Sequence, residues 1–284
     1  MDNSLSFMGV KGGPAIRPGS NMPTSMLLKL NGKNILIDAG LGVTRGICDQ
    51  GVALTQIDMI FVTHLHSDHY LELGPLLHTA WVAGLNQPIP IIGPSGLVGY
   101  WQGFLQSMQF DVDLRIADEG RCDLQALADL KTIHEGVIYQ QDGIMVTAMR
   151  NDHPPIKDSF ALRFETPDTC VVLSGDTAFM DKMIPFAKKA DLLVHEAMLI
   201  DGVHALCAKM TNGDDRLLTH ILRSHTSAED VGRIAQAADV KHLALNHFVP
   251  DGDPDFTDAH WESDVRKQWS GPLTLGKDGL TLPI

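Results

Sequence analysis

Four of the six residues from His64 to His69 are types that bind metal ions: His64, His66, Asp68 and His69. They follow a short apolar run, Ile57–Thr63, which reads as a buried strand. In extended chain the side chains at i and i+2 point the same way, so His64 and His66 share an aim. One tight turn later, Asp68 and His69 reach a second point close by. Crowded imidazoles and a carboxylate destabilise a fold unless something binds them, and a cation suits all four. The competing reading, a solvated polar loop, is the better one for a lone histidine and the poorer one for this cluster.

Three more candidates stand where strand-like runs stop. They are His153 beyond Ile144–Met149, Asp176 beyond Cys170–Ser174, and His247 beyond His242–Leu245. Functional side chains gather on loops held by a rigid sheet. Taken singly, each of the three would pass for ordinary loop; they gain weight from the first cluster.

The elements that must position these residues can be read from hydrophobic pattern. Ser25–Leu30 and Asn34–Asp38 read as strands joined through Asn31-Gly32, a strong hairpin signal. Leu71–Ala83 has helical spacing, with Leu73, Leu76, Leu77 and Ala80 on one face. Ile89–Ile92 reads as a buried strand, and Ser95 as the cap of a helix reaching about Met108. Asp111–Val137 shows no decisive pattern. Further on, Phe160–Glu165 reads as a strand and Asp181–Lys189 as a short helix. Leu192–Val194 reads as a strand ending at His195-Glu196, and Ser227–Ala237 as a helix with Val231, Ile234 and Ala235 inward. Strands mixed with helices through both halves predict two packed sheets with helices outside, in one domain spanning residues 1–284.

The bulk numbers are those of a globular chain: 284 residues, 44% hydrophobic and 20% charged. A formal charge of −13 argues against a surface built for general nucleic-acid binding. The four cysteines are scattered, which disfavours both a disulfide framework and a cysteine zinc knuckle. Neither a signal peptide nor a membrane span is read, so the expectation is a cytoplasmic protein.

With its HxHxDH motif and the later His, Asp and His, the chain resembles the metallo-β-lactamase superfamily. Three segments resemble the RNase Z and arylsulfatase-like branch of it. They are Ser174-Gly175-Asp176-Thr177, Asp191 through His195-Glu196-Ala197, and Ser224-His225-Thr226-Ser227-Ala228-Glu229. Gly12-Gly13-Pro14 through Asp38-Ala39-Gly40 fits as well, so the resemblance runs from about Phe7 to Phe248. It implies an αββα sandwich and a two-metal centre. His64, His66 and His153 would hold one ion; Asp68, His69 and His247 would hold the other; Asp176 would bridge both, with a water or hydroxide. Imidazole and carboxylate ligands suit zinc, with manganese or iron as alternatives. The resemblance also makes His225 a proton donor to the leaving group, oriented by Glu196, and counts Asp68 among the catalytic groups. The plainer alternative is that Ser224 caps the next helix and His225 merely sits in its first turn.

Two divalent ions carry +4; two carboxylates and a hydroxide leave about one positive charge, which attracts an anionic ester. The expected activity is hydrolysis of a small ester, a phosphodiester or aryl sulfate, by a metal-bridging hydroxide. An RNase Z-like tRNA 3′ endonuclease is the alternative. Lactone, cyclic amide or thioester hydrolysis follows, and a non-catalytic binding protein on the same fold comes last. In the branch that the chain resembles, enzymes that process tRNA commonly carry a long arm between the positions of His153 and Asp176; only 22 residues separate them here. Twenty-nine residues between His195 and His225 instead leave room for a local lid over Leu199–Arg223. The expected partner is thus a small molecule, with neither nucleic acid nor membrane, and a homodimer is compatible with the chain.

Overall fold

The computed structural model describes residues 3–209 and 214–284. Two seven-stranded mixed sheets form its centre. The first contains β1 (Ser4–Gly9), β2 (Ser25–Leu30), β3 (Lys33–Ile37), β4 (Met59–Phe61), β5 (Ile89–Gly93) and β6 (Ala128–Thr132), closed beside β1 by β14 (Thr281–Pro283). The second contains β7 (Gly136–Gln141), β8 (Ile144–Arg150), β9 (Phe160–Glu165), β10 (Cys170–Leu173), β11 (Leu192–Met198), β12 (Leu243–Val249) and β13 (Leu273–Leu275). The helices are α1 (Val43–Asp49), α2 (Ser67–Tyr70), α3 (Leu73–Val82), α4 (Leu97–Glu119), α5 (Met183–Phe186), α6 (Ile200–Ala208), α7 (Arg216–Ser224), α8 (Ala228–Ala238) and α9 (Asp258–Arg266).

Alternation along the strands explains the layers. In β2 to β4, Leu28, Ile35, Ile37 and Phe61 belong to the core shared with the second sheet, where Phe61 meets Phe164 edge to face at 5.3 Å. Their neighbours Leu27, Leu36 and Ile60 point the other way and pack under Leu73, Leu77 and Trp81 of α3 and Trp101 of α4. Period-2 strands between period-3.6 helices produce the αββα sandwich that the sequence predicts. Among the described residues, no helix is long and apolar enough to cross a membrane.

Most local expectations hold. Asn31 and Gly32 both take positive φ, 49° and 79°, and close the β2–β3 hairpin. Four differ. Helix α4 starts at Leu97 without a side-chain cap from Ser95, and runs on to Glu119. The rest of the undecided segment becomes a short 3₁₀ turn, β6 and the start of β7, edge strands too exposed to show a hydrophobic period. Strand β11 continues past Glu196 to Met198, and every residue in it is buried. Ser227, not Ser224, caps α8, its hydroxyl accepting from the Asp230 amide at 3.1 Å.

Strands β3 to β6 run parallel, as do β10 to β13. Chain that leaves β3, β4, β8, β10 and β12 therefore emerges on one edge of the sandwich, the usual place for a site in such sheets.

Candidate metal centre and catalytic site

That edge brings all seven sequence-predicted ligand candidates together, His64, His66, His153 and Asp176 in one set and Asp68, His69 and His247 in a second, while a third group joins His225 to Asp176 and His247. In the first, His64 Nε2 and His153 Nε2 each lie 3.0 Å from His66 Nδ1. The three rings are mutually edge-on, with interplanar angles of 83°, 76° and 83°. In the second set, Asp68 Oδ2 lies 3.3 Å from His247 Nε2 and 3.6 Å from His69 Nε2. Asp176 Oδ2 stands between the sets, 3.0 Å from His247 Nε2, 3.4 Å from His69 Nε2, 3.7 Å from His64 Nε2 and 3.9 Å from His153 Nε2.

Partners behind the rings fix their tautomers. Asp38 Oδ2 accepts from His69 Nδ1 at 2.7 Å, and the Ser224 carbonyl accepts from His153 Nδ1 at 2.9 Å. The Thr63 hydroxyl gives its one proton to Asp38 and so accepts from His64 Nδ1 at 3.1 Å. Each of these three rings thus turns the lone pair of Nε2 into the site. Lone pairs of His64 and His153 cannot both bond to one proton at His66 Nδ1, so a cation is what their convergence fits. His69 Nε2, fully enclosed, has no hydrogen-bond partner among the described residues. Orphaned nitrogens and converging lone pairs are the donor set a divalent ion requires.

Asp38 is the residue that sequence reasoning missed. It supports one ring in each set, His69 directly and His64 through Thr63. Its φ of 61° is costly for a side chain other than glycine and is held by these bonds and by the Thr63 amide. His247 also departs from expectation. It is not on a loop beyond a strand but inside β12, at φ 48°, where the pairing with β11 skips a residue. The bulge turns its ring into the site. Behind Asp176, Gly175 has φ 57°, and a Cβ there would lie 2.6 Å from the Phe160 carbonyl; the Ser159 hydroxyl and Asn151 amide hold the Asp176 carbonyl.

Charge divides the two sets. Burial disfavours a proton on every ring. At His64 it drives the pKa well below the usual value; at His66, aided by His153, it lowers it to about 4, and His153 is lowered as well. At His69 and His247, burial is outweighed first by Asp176, and His247 is raised to about 10. Burial opposes charge on Asp68 and Asp176 too, yet His69 and His247 hold both below the carboxylate range. Three neutral imidazoles on one side and two carboxylates demanding positive charge on the other make the site a receptor for cations.

His225 stacks on His247 at 5.3 Å, and its Nδ1 donates to Glu196 Oε1 at 3.1 Å. Glu196, 2% exposed, also accepts from the amides of Thr177 and Thr226. Nε2 of His225 is thereby left for the open side. That side is a cavity of about 380 Å³ shared by His66, Asp68, Asp176, His225 and His247. Lys11 and Arg17 border it, and α6 and α7 roof it with Leu206, Leu217, His220 and Ile221. The segment Leu199–Arg223, where the sequence left room for a lid, contributes α6 and α7 to this wall; residues 210–213 lie outside the described residues. His204 is exposed on α6 and does not reach the cavity, and His195 is a buried core residue bonded through Nδ1 to the Glu196 carbonyl.

Comparison with known proteins gives concordant likenesses. A family model described as Anti-Pycsar protein Apyc1 matches residues 3–243. A ribonuclease Z from Mycolicibacterium gilvum (strain PYR-GCK) is 30% identical over 257 residues, covering 89% of this chain and 87% of that one. Among solved structures, the metallo-β-lactamase fold protein YhfI from Bacillus subtilis matches with a TM-score of 0.74 at 19% identity, over the full length of both chains. The short form of human tRNase Z matches at 0.69 and 20% identity, over 98% of each.

Proposed function

The chain belongs to the family described as Anti-Pycsar protein Apyc1, on the RNase Z branch of the metallo-β-lactamase fold, and from that premise we propose that this metal-dependent hydrolase cleaves a small phosphodiester. The observation that carries this reading is the cavity lined by members of both candidate ligand sets, His66, Asp68, Asp176 and His247, together with His225, which Glu196 holds from behind. His64, His66 and His153 would hold one ion and Asp68, His69 and His247 the other, with the Asp176 carboxylate within reach of both sets. Zinc best suits nitrogen and carboxylate donors without thiolate. Two such ions, when bound, supply an activated water and polarise the phosphoryl oxygens.

The chain's own residues do the rest. Asp38 keeps His69 and His64 in their tautomers. Lys11 and Arg17 add positive charge beside an anionic ester. Glu196, held by two amides, directs Nδ1–H of His225 toward itself and leaves Nε2 to protonate the departing oxygen. Leu206, Leu217 and Ile221 give the ester's organic part an apolar wall and keep water from it.

A second reading, cleavage at the 3′ end of a precursor tRNA, is favoured by the name of the curated relatives, ribonuclease Z. That name weighs toward the RNase Z-like alternative and against the expectation that nucleic acid is no partner. The small-ester reading has its own support in the link between β9 and β10, a turn of residues 166–169 with no arm. Remote contacts are what lower the barrier for a large substrate, and this turn offers none. The deciding experiment compares kcat/KM for precursor tRNA and for bis-p-nitrophenyl phosphate at fixed salt. Higher values for the small diester support the first reading; accurate tRNA cleavage that outcompetes it establishes the second.

A further inference from the structure

One side chain of the cavity is used by none of these roles. His220 lies on the inward face of α7, in register with Leu217 and Ser224 at helical spacing. Its ring stands 6.0 Å from that of His66 and 6.4 Å from that of His153, near edge-on to both, and lines the cavity. It belongs to none of the groups close enough to hold an ion. It makes no hydrogen bond among the described residues and is only half-buried, so it neither braces the fold nor fills its core. The true brace at this end of α7 is Ser224, whose carbonyl accepts from His153 and whose hydroxyl donates to the Pro154 carbonyl at 2.7 Å.

An unbonded imidazole facing a cation centre is placed to meet a ligand. His225 stands against both His247 and His153, its ring 5.3 Å from each, whereas His220 stands on the His66 side, 6.0 Å from that ring. A tetrahedral phosphoryl group over the centre presents oxygens to both sides. We propose that His220 is a substrate-contacting residue, donating a hydrogen bond to a non-bridging phosphoryl oxygen on the His66 side, with Leu217 and Ile221 beside it supporting the ester's organic group. The inference rests on the phosphodiesterase reading. A donor aimed at a charged oxygen in a water-poor site acts more strongly as charge develops there.

The test uses the full chain loaded with zinc, as wild type and as His220→Ala, His220→Gln and His220→Asn. Calorimetric titration with inorganic phosphate should show affinity weakened roughly tenfold or more in the Ala variant, as befits a lost bond to a charged group. The amide variants, which still donate, should recover part of it. For bis-p-nitrophenyl phosphate, kcat/KM of His220→Ala should fall by roughly 10²-fold. Zinc per chain and Tm should match wild type. Unchanged phosphate affinity overturns the proposal, and so does loss of zinc in step with activity, which would make His220 a support for the ligands. If the wild type cleaves no diester at all, the phosphodiesterase reading fails by itself, while the phosphate titration still decides the role of His220.

Discussion

The candidate centre and the helical roof above it are held by different means. The centre stands on strand ends, the bulge at His247 and the short helix α2, beside strands whose side chains fill the core between the sheets. Each of its rings but two is fixed from behind by a carboxylate, hydroxyl or carbonyl. The roof of α6 and α7 rests on a separate small cluster of Met198, Val203, Ile221 and Val249. The contrast divides chemistry from selection. A geometry that must converge on ions is over-determined, and a wall that must accept an organic group is lightly anchored.

The sharpest way to break this division is at Asp176, the one carboxylate touching both sets. Asp176→Ala should abolish measurable hydrolysis and lower bound metal in both sites, read by elemental analysis after purification without chelator. Metal retained at the wild-type level would remove its bridging role. One layer out, Asp38→Ala should cost roughly 10–100-fold in metal affinity, since it frees rings of both sets. A chelator competition checks this, and wild-type affinity would mean that the backing bonds are idle. The comparison sharpens further with two truncations followed by denaturant unfolding. Phe164→Ala, in the inter-sheet core, should lose about 3–5 kcal/mol. Leu217→Ala, 38% exposed on the roof, should stay within about 0.5 kcal/mol of wild type while raising KM. Equal losses would show the roof to be part of the core.

Legibility in the sequence followed the same division. His64 through His69 could be read because four ligand types fall within six residues of a strand. His153 and Asp176 stood at strand ends with recognisable runs before them. Asp38 was seen only as part of Asp38-Ala39-Gly40. Its role depends on β3 lying parallel to β4, a pairing between segments more than 20 residues apart. The positive φ of His247 comes from a bulge whose only trace is the pairing itself. Helix α4 outran its expected end because its second half buries little beyond Val112 and exposes Phe110 and Leu114, which blurs the helical stripe. In α7, Leu217, His220 and Ile221 have the spacing of an inward face, but what that face covers is set by the chain's return to Ser224 and His225.

His225 lies close enough to Asp176 and His247 to be a ligand, and the role proposed for it is instead that of the acid, held by Glu196. Its most direct test is a series of phosphodiesters of graded leaving-group pKa, assayed with wild type and His225→Ala beside metal analysis of both. With poor leaving groups, kcat should fall by roughly 10²–10⁴-fold in the variant. The loss should shrink steadily as the leaving group improves, with metal content unchanged. A loss that is uniform across the series, or one that follows missing metal, would contradict the assignment and make His225 a ligand or a mere neighbour of the site.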